Sequence, residues 1–188
     1  MPVLRTTDLS EAYGAVRCLL SLAVPMDDFH FGAFSEALTL VEAQRMVAAF
    51  PNGVVCPDDP FTPESTDEVR HLVVTGDPRV AALLPVKISL EHQQVGSTEQ
   101  AFLDVVGSGI GSIEWTYFNW PAVPELQLEM RHKDAYVQIA INSRDIHGDE
   151  PASDHTVFIH VPHGATERAK WLARRVGLQP LGPLGPGW

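Results

Sequence analysis

The sequence predicts a two-layer α+β fold, a mainly antiparallel sheet of about five strands with helices packed on one face. Three observations carry this expectation. Apolar residues recur at helical spacing before residue 51 and after residue 165. They alternate with polar residues in five segments after residue 85. Two of those segments are separated only by His132-Lys133-Asp134, a length suited to a hairpin loop.

Taken in order, Asp8-Leu9-Ser10-Glu11 has the form of a capping box, and Leu9, Ala12, Tyr13, Val16, Leu19, Leu20 and Ala23 follow as one stripe. Pro25 ends this helix. A second box, Thr39-Leu40-Val41-Glu42, opens a helix with Leu40, Ala43, Val47 and Phe50 inward, closed by Pro51-Asn52-Gly53. Three prolines between Pro57 and Thr66 exclude a helix interior or a central strand there. This acidic loop, residues 57–66, divides a helical part (1–56) from a sheet-rich part (67–179) of one domain.

Asp77-Pro78 predicts a short helix with proline in its first turn. Ser97-Thr98-Glu99-Gln100 predicts a third capping box, leading Ala101, Phe102, Val105 and Val106 inward. The strands read from the period of two are 86–91, 113–119, 125–131, 135–141 and 156–161. Thr166 is placed to cap a last helix carrying Ala169, Leu172, Ala173 and Val176, which Gly177 ends. The tail, 180–188, nearly repeats Pro-Leu-Gly and is expected to be extended. Strands with one polar face fit a sheet that is wet on one side and covered by helices on the other.

Bulk composition sets the class. A chain of 188 residues buries on the order of 70% of its unfolded surface, enough for a core without staples. With 45% hydrophobic and 20% charged residues, disorder of the whole chain is excluded. Cys18 and Cys56 occupy unrelated contexts, which predicts a reducing compartment. The apolar run Cys18–Val24 lacks a basic lead-in and falls short of the ~20 residues that span a bilayer, so the expectation is a cytosolic protein with no membrane association.

The net charge is −11, unevenly spread: residues 1–99 hold fourteen acids and six bases, residues 100–188 ten acids and seven bases. Nucleic acid is disfavoured, because its binding requires Lys and Arg to neutralise phosphates. A basic protein partner would be steered toward such a surface. A homo-oligomer stays open.

Two segments carry candidate chemistry. Between Asp145 and His163 lie four of the eight histidines, among four acids. Imidazoles and carboxylates are ligands for zinc or manganese, and a metal-bound water is a hydrolytic nucleophile. The candidate ligands are His147, Asp149, Asp154, His155 and His163. Strand parity resists convergence: His155 and His160 differ by an odd number and point to opposite faces of one strand. No cofactor is expected outside this metal reading.

The second segment is aromatic. Trp115 and Tyr117 share one predicted face with Ile113, while Phe118 and Trp120 share the other. Aromatics on both faces exceed what one core layer requires. Either the strand is buried on both sides, or Trp115, Tyr117, Phe118 and Trp120 supply a partner surface, where Trp and Tyr are favoured anchors.

Other motifs yield little. The glycines of 107–112 follow a helix and precede a strand, the reverse of a phosphate-binding loop. Cys56 lacks a neighbouring base, and no Gly-x-Ser-x-Gly elbow occurs. Arg168, Lys170, Arg174 and Arg175 complement the dipole of the last helix.

Two functions follow. The first is an acidic protein-binding module, of inhibitor or immunity type, that docks a basic partner. The alternative is a metal-dependent hydrolase using the 145–163 cluster.

Overall fold

The structure, a computed structural model, describes residues 1–57 and 65–183. Most of the Pro-rich loop (58–64) and the end of the tail (184–188) lie outside the described residues. The chain begins with β1 (Pro2–Thr6), α1 (Leu9–Leu20), β2 (Val24–Ala37), α2 (Leu40–Ala49) and β3 (Val54–Pro57). It continues through α3 (Thr66–Thr75), β4 (Val86–Gln94), α4 (Glu99–Val105) and β5 (Gly111–Asn119). It closes with β6 (Tyr136–Ile141), β7 (His155–His160) and α5 (Thr166–Arg175). Turns of 3-10 helix lie at Pro78–Ala82 and Pro124–Leu126.

The fold is α+β with an antiparallel sheet, as the pattern predicts, but the sheet has seven strands in the order β1-β7-β6-β5-β2-β4-β3. All six neighbouring pairs run antiparallel. The additional strands come from residues 1–57, so that part is not a separate helical layer. Its longest element, β2, pairs with both β4 and β5 at the centre of the sheet. The alternation in β2 is real, with Phe31, Ala33, Ser35 and Ala37 buried. It is quiet in sequence because small residues and Gly32 replace the usual β-branched side chains.

Two of the expected local signals hold in detail, and one further capping box is present that the sequence pattern did not predict. Thr39 accepts the Glu42 amide while the Glu42 carboxylate receives the Thr39 amide, a complete capping box, typically worth ~1 kcal/mol. Ser65 and Glu68 form another at α3, inside what the sequence reads as loop. Gly177 takes a left-handed φ of 78° just past α5, a conformation that glycine adopts without a Cβ penalty.

Others differ. Asp8 accepts the Ser10 and Glu11 amides, but the Glu11 carboxylate receives the Thr6 hydroxyl instead of completing a box. Thr98 makes no capping bond; Glu99 reaches back to the Gly96 amide at 2.7 Å. Ala165, not Thr166, stands at the N-cap of α5.

The expected strand 125–131 is absent. Gln127 takes a left-handed φ of 54°, and only the isolated bridges Trp120–Arg131 and Val123–Leu128 remain. Prolines 121 and 124 remove two ladder donors there. Met130 is exposed, so the alternating residues have no core to face.

The helices cover one face. Ala12, Val16 and Leu19 of α1, Ala43, Met46 and Val47 of α2, and Val69, Leu72 and Val73 of α3 join one core. The sheet contributes Phe31, Ile88, Ile113, Trp115, Val137, Ile139, Val157 and Ile159 to it. Each such large side chain gains roughly 1.5–3 kcal/mol from burial. Because side chains alternate, the intervening residues lie on the opposite face. Over β6 and β7 the segment 142–152 folds back across that face: Ile146 O accepts from Gln138 Nε2 and Ser143 O from Thr156 Oγ1. Over β5, β2 and β4 the described residues leave a groove in that face. No helix among the described residues is long and apolar enough to cross a membrane.

Candidate functional site

Of the four predicted surface aromatics, Trp115, Phe118 and Trp120 have no exposure, and only Tyr117 is exposed, at 44%. The reading of them as a shared partner surface is therefore corrected. The cause is local. Tyr117 adopts a left-handed φ of 62°, and the β2–β5 register shifts there. The shift turns the even-numbered Phe118 and Trp120 into the core that Ile113 and Trp115 already occupy. Trp115 stacks on Tyr13 at 6.0 Å and its indole N–H donates to Glu99 at 3.5 Å. Phe118 meets Phe29 and Trp120 edge-on, and Trp120 Nε1 donates to His160 O at 2.7 Å.

The predicted metal ligands do not converge. Asp154 is engaged by Arg144 at 3.1 Å, and His155 Nδ1 accepts the Asn142 amide at 3.1 Å. His147, Asp149 and His163 are exposed. Asp145 organises the loop, accepting the His147 amide at 2.7 Å, the Glu150 amide and the Ser143 hydroxyl. Among the described residues no group of three or more His, Cys, Asp or Glu is placed to hold a metal ion.

What the fold does assemble is a groove on the open half of the sheet, about 310 Å³ in volume. Its floor comes from three strands: His30, Gly32 and Phe34 of β2, Glu114 and Thr116 of β5, and Ser89 of β4. A larger hollow of about 690 Å³, rimmed by Asp27, Asp28 and Tyr117, adjoins it and shares His30 and His92.

Two bulges shape this site. On one side of His30 the β2–β5 register shifts beside Tyr117; on the other the β2–β4 register shifts beside His92, whose φ is 51°. Bulges re-aim side chains, and here both turn rings toward His30. The His30–His92 centroids are 4.6 Å apart, His30–Tyr117 4.9 Å and Tyr117–His132 6.0 Å. The result is a row of four rings. His30 Nδ1–H donates to Asp28 O at 2.6 Å, leaving Nε2 to accept the Thr116 hydroxyl at 3.3 Å.

The carboxylate in the groove is oriented by a chain of hydrogen bonds from the covered half. His160 Nε2–H donates to Gln138 Oε1 at 3.0 Å. Gln138 Nε2 donates to Ser112 Oγ at 3.0 Å, so the Ser112 hydroxyl points onward to Glu114 Oε1 at 3.3 Å. His160 is stacked on Tyr136 at 3.6 Å, and burial holds its imidazole well below its usual range, neutral. Burial pushes the Glu114 carboxyl up, and the Ser112 bond only partly opposes that.

His30, His92 and His132 carry no motif, being 62 and 40 residues apart in sequence; only the strand pairing unites them. Compared with known proteins, the chain matches no family model, no curated protein and no solved structure.

Proposed function

We propose that this chain is a protein-binding module whose open sheet face receives a basic segment of a partner. One observation carries the reading. Among the described residues, the two adjoining hollows are lined by Asp27, Asp28, Glu91 and Glu114 and by no lysine or arginine. A chain of net charge −11 adds long-range attraction to that local pattern. Exposed Tyr117 offers a ring face to a cation. Where the docked segment is the partner's working surface, occupancy makes the module an inhibitor, the immunity-type role. The metal-hydrolase alternative lacks comparable support, since its five residues are separately engaged or dispersed.

The test is titration of a fluorescent peptide rich in Lys and Arg against the protein at low and moderate salt. Saturable binding that weakens with salt is expected, and Glu114→Gln should weaken it by about 2 kcal/mol, roughly thirtyfold. The stability of that variant should not fall, because an amide replaces a desolvated carboxylate of the same shape. Absence of saturable binding, or equal binding by Glu114→Gln, would overturn the proposal.

A further inference from the structure

We infer that the groove selects arginine over lysine, with Glu114 as the fork acceptor and the ring row as the stacking platform. This rests on the binding reading above and narrows it to one side chain.

Three features favour a planar guanidinium. The first is the floor. In the β2–β5 register Gly32 lies opposite Glu114. A Cβ built on Gly32 would meet only Leu90 O, at 3.6 Å, so the space beside the carboxylate is open. His30 and Phe34 bound this gap along β2, about 13 Å apart at the strand rise.

The second is the carboxylate. Glu114 Oε1 accepts the Ser112 hydroxyl, while no bond to Oε2 is present among the described residues. Gln138 donates to Ser112 Oγ and thereby directs the Ser112 hydroxyl, holding the carboxylate in one plane. A fixed plane matters little to an ammonium, a point charge with rotatable donors. It matters greatly to a guanidinium, whose paired N–H groups match a carboxylate in one geometry.

The third is desolvation. Burial already raises the Glu114 carboxyl, and an arginine is more weakly hydrated than a lysine ammonium, so it gives up less on entering. The exposed Tyr117, packed on His30 in the ring row, then offers aromatic surface against which a guanidinium stacks. In this scheme Ser112 and Gln138 are positioning residues.

The experiment uses three peptides of one sequence, with arginine, lysine or citrulline at every basic position, titrated calorimetrically into the intact protein. The arginine peptide should bind about tenfold tighter than the lysine peptide, and the citrulline peptide should not bind. In Ser112→Ala the arginine-to-lysine ratio should collapse toward one. Equal binding of the arginine and lysine peptides by the parent protein would overturn the inference while leaving the binding module standing. Failure of both to bind would overturn both readings. If Ser112→Ala does not fold, the ratio measured on the parent protein still decides.

Discussion

His160 and His30 occupy the same face of the sheet, the one turned from the main helical layer, yet their surroundings are opposite. Over β6 and β7 the 142–152 segment closes the face, and His160 is sealed against Tyr136 with its one ring proton spent on Gln138. Over β5, β2 and β4 nothing described closes it, and His30 lines a groove between His92 and Tyr117. A histidine under a lid contributes packing and a defined hydrogen bond. A histidine beside carboxylates at an open face contributes to recognition. The polar chain His160–Gln138–Ser112–Glu114 joins the two halves, so the covered half acts as the rigid backing of the open one.

Three measurements press on this comparison. The largest effect is expected from His160→Ala, which removes a buried stacked ring and strands Gln138. A loss of about 3 kcal/mol in urea denaturation is expected, against less than ~1 kcal/mol for His30→Ala, which should instead weaken binding of the basic peptide. Equal stability costs for the two would erase the distinction.

A smaller effect separates the halves by pH. Burial depresses His160, so its contribution to stability is complete above the ordinary imidazole range and is lost as pH falls through the folded value. Burial raises Glu114, so its contribution is complete below the ordinary carboxyl range and is lost as pH rises through the folded value. In stability-against-pH curves, His160→Gln should flatten the acid loss and Glu114→Gln should gain on the parent protein as pH rises. The same slope change from both variants would break the assignment.

The smallest effect is expected at the histidines of the 145–163 segment outside the sheet. His163→Ala should stay within about 0.5 kcal/mol of the parent, and zinc or manganese should produce no saturable thermal shift sensitive to His155→Ala. A saturable shift abolished by that substitution would restore the metal reading.

Much of the scaffold was legible. The α2 box, the C-terminal glycine of α5 and the alternations of β4, β5, β6 and β7 are local patterns, each set by neighbours within a few residues. The segment 125–131 alternates equally well and forms no strand, since alternation states a preference for two faces and no partner was there to meet it. The long β2 went unread because Gly32, Ala33, Ser35 and Ala37 are poor advertisements for a strand, although the centre of the sheet needs small residues where helices press close.

The candidate site was the least legible part. Density of histidines in sequence pointed to residues 145–163, where a straight strand and a self-bonded loop send them apart. The aromatic run pointed to β5, where a single left-handed residue, Tyr117, decided which rings are buried. Sequence alone determined the class of fold, the negative charge, the bounds of α2 and the glycine that ends α5, all properties of composition or of residues a turn apart. Tertiary structure decided that His30, His92 and Glu114 share one groove and that Tyr117 rims the hollow beside it. Cross-strand neighbours follow from register, and register here is set by bulges and by pairings between segments up to roughly ninety residues apart.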